Sequence, residues 1–117
     1  MILKNITRKT VIAVDLQYLN SFWGKAVGLL CKKHSHSLYF QTRFGIHTFG
    51  LKSPIDVLVL DDRLNVVKSE EVAPNRLFFW DPRYKGVVEL PCGSITKSKT
   101  ARGDQIIILE SFLPLPL

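Results

Sequence analysis

The sequence is poor in cysteine, in long apolar runs and in motif glycines, and each scarcity excludes a class of protein. Its two cysteines, Cys31 and Cys92, stand 61 positions apart, and neither belongs to a CxxC pair. That excludes a disulfide scaffold and the common redox motif, and it suits buried thiols in a reducing compartment. No apolar run exceeds four residues, far short of the roughly 20 that a helix needs to cross a bilayer. Met1–Leu3 passes at once into polar residues, and Asp15 interrupts the apolar run that begins at Val11. We therefore expect no signal peptide and a cytoplasmic protein. There is no phosphate-cradling glycine loop, nucleophile elbow or HExxH helix.

What remains is an ordinary globular composition. The 117 residues, 46% of them hydrophobic, suit a single domain over 1–117. A chain of this size buries roughly two-thirds of its unfolded surface without a metal or disulfide staple. Charge is unevenly placed. Residues 1–52 carry eight Lys/Arg against Asp15 alone, a net +7, whereas residues 53–117 carry eight against nine acids, a net −1. A basic half can face nucleic acid or an acidic partner, although its first effect is on solubility.

Short segments with period-two patterning dominate. Ile2–Ile6 and Thr10–Leu16 read as strands around a polar Thr7-Arg8-Lys9 turn. Asn20 to Lys33 recurs at helical spacing, with Lys32 and Lys33 in the last turn, and predicts one helix over about residues 21–33. Leu38–Gln41 and Gly45–Leu51 follow as strands. Ile55–Leu60, reading IDVLVL, is apolar on both faces, and with the Asp61–Asn65 turn and Val66–Val72 it forms the strongest hairpin. Leu77–Trp80, Gly86–Leu90 and Gln105–Glu110 complete the set. Cys92–Gly103 is a basic loop with room for one helical turn, and 111–117 is an extended tail. About eight short strands with one helix predict a compact, mainly β domain of sandwich or barrel type, stacked in two layers.

His47-Thr48-Phe49, Leu51 and Pro54-Ile55-Asp56 lead into a strand that ends at Asp61, and this ordered set resembles the motifs of a family catalogued as domain of unknown function 192. Gly28-Leu29-Leu30, Asn65-Val66-Val67, Val87 to Gly93 (VVELPCG) and Gly103-Asp104 extend the likeness over about residues 11–109. The chain departs from the family at Trp23-Gly24-Lys25, where an Arg is usual, and at Cys92, where Ala is usual. The resemblance implies a compact β-sandwich with one helix, and some relatives accompany pilus or secretion assemblies, which would fit a protein partner. It implies no activity.

Four residues are the candidate ligand contacts: His47, Asp56, Glu89 and Asp104. Asp56 and Glu89 sit within apolar strands, where a lone carboxylate is costly and needs partners. Were they to converge with His47, a hydrolase-like site with a carboxylate base and a histidine acid would follow. The simpler alternative is that backbone or arginine hydrogen bonds hold them in place. Arg102-Gly103-Asp104 reads as a turn closed by Asp104 rather than as an adhesion signal. Cys31, His34 and His36 match zinc spacing only loosely, so no metal and no cofactor are expected. Phe78, Phe79 and Trp80 must alternate between faces, so no more than two share a platform for stacked bases. Our sequence reading is therefore a binding module for a small ligand or a protein partner. The alternatives are the hydrolase and nucleic-acid binding through the basic N-terminal half, which no RNA-binding or helix-turn-helix signature supports.

Overall fold

The computed structural model describes residues 1–19 and 37–110. The helix expected over 21–33, the Cys31–His36 pattern and the tail 111–117 lie outside the described residues. Strands β1 (Ile2–Asn5) and β2 (Thr10–Ala13) form the expected first hairpin. The segment expected as one strand to Leu16 is broken in two, and β3 (Leu16–Tyr18) joins another sheet. Leu16 is held at the switch by Met1: its N–H donates to the Met1 carbonyl, and the Met1 ammonium donates to the Leu16 carbonyl, both at 2.9 Å.

Three sheets result. β3 runs parallel to β4 (Ser37–Gln41), and β4 is antiparallel to β9 (Gly86–Pro91). β6 (Ile55–Leu60) pairs antiparallel with both β9 and β7 (Val66–Val72), giving a five-stranded sheet in the order β3-β4-β9-β6-β7. β10 (Ile106–Leu109) and β2 flank β1 in a three-stranded sheet. β5 (Gly45–His47) and β8 (Leu77–Phe79) form a separate two-stranded ribbon. The helical turn expected in 92–103 is α1 (Ser94–Ser98). The described chain thus has ten strands rather than about eight, with no closed barrel among the described residues.

The five-stranded sheet is the middle of three layers, where two were expected. On one face Leu58, Leu60, Val88 and Leu90 meet Leu3, Ile12, Ala13 and Ile106 of the three-stranded sheet. On the other, Leu38, Phe40, Val57, Val59 and Val87 meet Phe78 and Trp80 from the ribbon segment. Cover on both faces explains why every residue of β6 is buried. Burial of each Val or Leu contributes about 1.5–3 kcal/mol.

One glycine is required by close packing. A Cβ on Gly45 would collide with the Phe78 carbonyl oxygen across the ribbon and with the Phe79 ring. Because the obstacle is backbone, Gly45→Ala is expected to destabilise the protein by about 1–3 kcal/mol. Urea unfolding would measure this, and an unchanged midpoint would refute the close approach.

Candidate functional site

The four residues singled out from the sequence do not form one site. Asp56 is the register partner of Glu71 and Leu90, whereas Glu89 is the partner of Val57 and Leu38. Adjacent positions on a strand point to opposite faces. Asp56 therefore faces the three-stranded sheet and α1, and Glu89 faces the ribbon side. His47 lies on the outer surface of that ribbon, since its neighbour Ile46 and the opposing Phe78 point into the core. The constellation that a hydrolase would need is not assembled.

Each carboxyl group has its own environment. Asp56 is 2% exposed, and its Oδ2 accepts the Ile95 N–H at 2.8 Å. It thereby anchors the loop after β9. Burial pushes its carboxyl group above the ordinary range; amides at Ile95, Gly93 and Ser94 oppose the shift and Glu71 adds to it. Beside it lie the Cys92 thiol and the Glu71 carboxylate. Partial desolvation and the two carboxylates push that thiol up. Glu89 is 7% exposed, with no hydrogen bond among the described residues, and burial pushes it up to about 8.

Asp104, 3% exposed, is the opposite case. Its Oδ2 accepts Asn5 Nδ2 at 2.9 Å, the Ala101 N–H at 2.9 Å and Arg8 Nε at 3.0 Å. Burial alone would raise its carboxyl group, but these bonds outweigh burial and hold it below the usual range. Asn5 also donates to Thr100 Oγ1 at 3.0 Å, and Thr100 shares a 2.7 Å bond with Ser98. This network ties α1 and the following turn to β1, and Gly103 takes the expected positive φ of 95°.

The exposed candidate, His47, belongs to a surface that the sequence reading did not assemble. Register places His47 opposite Leu77 and Gly45 opposite Phe79 on the outer face of the ribbon. Phe49 stacks on His47 with ring centroids 5.0 Å apart, and its N–H donates to His47 Nδ1 at 3.2 Å. Phe44 precedes β5 at the end of the ribbon where Phe79 lies. Phe44, Phe49, Leu77 and Phe79 are 64%, 47%, 58% and 59% exposed. Of the aromatic run, only Phe79 faces outward, while Phe78 and Trp80 are buried. That is the alternation the period of two requires.

The surface is held from beneath. Thr48, fully buried, donates its hydroxyl to the Ala73 carbonyl at 2.7 Å and accepts the Arg76 N–H at 2.9 Å. Lys68 donates to the Phe79 carbonyl at 2.9 Å and lies 4.7 Å from the centroid of the Phe78 ring. Phe44 has φ 76°, and the Gly45 N–H donates across it to the Arg43 carbonyl at 2.9 Å. This is the strained form of γ-turn, rare for a bulky side chain, and such conformations cost of order 1–3 kcal/mol. The fold thus holds a phenylalanine in water at a cost. Segments 41–55 and 73–80 around this surface contain Arg43, Lys52 and Arg76 and no acid. The signal available in sequence was the strand parity of Phe79 and Leu77. What it lacked was the pairing of these residues with β5.

No family model matches the chain. A UPF0127 protein of Pyrococcus horikoshii is 32% identical over 98 residues, covering 79% of this chain and 85% of that protein. A UPF0127 protein of Pyrococcus furiosus is 26% identical over 108 residues, covering 87% and 93%. Among solved structures, a protein of unknown function from Novosphingobium aromaticivorans superposes with a TM-score of 0.75 at 12% identity, over 92% of this chain and 82% of that one. A candidate transcription regulator from Sinorhizobium meliloti superposes with a TM-score of 0.72 at 16% identity, over 91% and 89%. At such identities the two structures speak to the fold alone.

Proposed function

This chain belongs to the uncharacterised UPF0127 family, and from that premise we propose that it is a binding module whose docking face is the outer surface of the β5–β8 ribbon. The observation that carries this reading is the grouping of Phe44, Phe49, Leu77 and Phe79, each about half exposed or more, around His47. Contiguous exposed apolar surface marks sites of association in folded proteins. Aromatic side chains supply large contact area at low entropic cost. The strained turn at Phe44 adds support, because local strain concentrates where a side chain must be presented.

The partner class follows from charge. The segments carrying the aromatics also carry Arg43, Lys52 and Arg76, and the next acids along the chain are the buried Asp56 and Asp81, which is paired with Arg83. This suits a protein segment combining apolar side chains with Asp or Glu. A subunit of a pilus or secretion assembly, the company that some members of domain of unknown function 192 keep, would fit as such a partner. Single-stranded nucleic acid fits less well. A backbone-tracking groove needs a row of cations, and the segments around this surface supply only Arg43, Lys52 and Arg76. Cys92, expected as a buried thiol, is instead exposed and free, and a free thiol still suits a reducing compartment such as the cytoplasm.

Selection from a displayed peptide library tests the reading. Peptides pairing apolar residues with Asp or Glu should be enriched, and Leu77→Ser with Phe79→Ser should weaken the best of them at least about 30-fold, the effect of losing about 2 kcal/mol at a hot spot. Phe44→Gly should weaken binding while leaving stability equal or higher, because glycine relieves the positive φ. Lack of enrichment, binding indifferent to these substitutions, or preferential binding of an oligonucleotide with a steep salt dependence would each defeat the proposal.

A further inference from the structure

On the opposite side of the central sheet from the ribbon, three side chains of metal-ligating type meet. Oxygens of Asp56 and Glu71 and the Sγ of Cys92 all lie within 4.8 Å of one another. They arrive from three separate pieces of chain. Asp56 and Glu71 are direct register partners on β6 and β7. Leu90 is Asp56's partner on β9, and Cys92, two residues further on, returns to that same face.

Like charges directly opposite one another in a sheet repel, and among the described residues no cation is paired with Asp56 or Glu71. The Ile95 N–H fixes the Asp56 carboxylate from behind at 2.8 Å. A hydrogen bond of that kind orients ligands in metal sites. Glu71 and Cys92 are exposed, so the cluster opens to solvent on the side away from Asp56.

We propose that Asp56, Glu71 and Cys92 form a binding site for one thiophilic divalent ion of the zinc class. A thiolate among the donors disfavours magnesium and calcium, which take oxygen ligands. Two carboxylates and a thiolate offer three negative charges to a dication. Three protein ligands leave a fourth tetrahedral position for water or an added ligand. Ligand bonds of about 2.0–2.3 Å put tetrahedral donors roughly 3.3–3.8 Å apart. The 4.8 Å cluster therefore needs to contract by roughly 1 Å, and rotation of the two exposed side chains can supply that. Binding would release the Cys92 thiol proton as the sulfur–metal bond forms.

Cobalt(II) and zinc(II) salts are the probes. One equivalent of cobalt should give a thiolate-to-cobalt charge-transfer band in the wild-type protein. The band should persist in Cys31→Ser, a background that removes the other cysteine, and should vanish in Cys92→Ser. Calorimetric zinc affinity should fall at least about tenfold in Glu71→Gln, the lower bound for groups one shell further out. Both variants alter exposed side chains and should keep the wild-type circular dichroism, so loss of binding is read on folded protein. Asp56 also anchors the loop after β9 and is not the deciding position. Absence of a band in the folded wild type, or a band that survives Cys92→Ser, would overturn the assignment.

Discussion

Between about pH 4.5 and pH 8 the wild-type protein should lose about 5 kcal/mol of folding stability that the Glu89→Gln variant keeps. Glu89 is buried opposite Leu38 and Val57, without a hydrogen bond among the described residues. Burial lifts its carboxyl group from 4.5 to about 8. The native state therefore binds this proton more tightly than the unfolded chain does. Below pH 4.5 both states are protonated and the stability is complete. As pH rises, the unfolded chain releases the proton first, so each unit costs the native state about 1.36 kcal/mol until the buried group also ionises near pH 8. Glutamine has the shape of the protonated acid and does not titrate. Urea unfolding at half-unit steps of pH, compared between the two proteins, isolates this term from all other groups. Parallel curves would show that Glu89 is charged or solvated in the native state.

Asp104→Ala should cost about 3 kcal/mol at neutral pH, by stranding buried and half-buried donors. Asn5 Nδ2 and the Ala101 N–H lose an acceptor at 2.9 Å each, and Arg8 loses its ion pair. The Arg8 side chain is 45% exposed and can turn to water, so most of the cost lies with the buried Asn5 amide and the half-buried Ala101 N–H. Asp104 titrates with the opposite sign to Glu89. Its carboxyl group is held below 3.8, so the stability it contributes is present above about pH 4 and is lost as pH falls through the native value. Together the two groups place the optimum of stability near pH 4–5, and Asp104→Ala should flatten the acid limb alone. A fully stable alanine variant would mean that Asp104 is free for a ligand rather than committed to the fold.

Local pattern carried much of the architecture. IDVLVL, flanked by Asp61–Asn65 and Val66–Val72, contains its own hairpin, and the structure forms it with Asp61 Oδ1 accepting the Arg63 and Asn65 N–H groups at 2.9 and 2.8 Å. The alternation of Phe78, Phe79 and Trp80 was equally legible, because strand parity is a property of a few consecutive residues. Elsewhere local pattern misled. Gly45–Leu51 reads as one strand but stops at His47, since the buried Thr48 hydroxyl ties that corner to Ala73 and Arg76. Thr10–Leu16 reads as one strand but divides, because Leu16 pairs with Met1.

The candidate sites were less legible for a related reason. Counting back from the turn, an unbroken hairpin that pairs Leu60 with Val66 would set Asp56 opposite Glu70. An irregularity between Val59 and Leu60 shifts the register by one, so Glu71 is the residue that meets Asp56. One inserted residue reverses which side chains face which side.

By itself, then, the order of residues settled where most strands lie (though not where each one ends), where the principal hairpin turns and which positions alternate inward, since these depend on neighbours a few places apart. Only the tertiary structure decided that the central sheet is covered on both faces, that Asp56 and Glu89 are kept apart, and that Glu71 and Cys92 gather at Asp56. Those outcomes depend on register and on contacts between distant segments, and a single slipped residue is enough to reverse them.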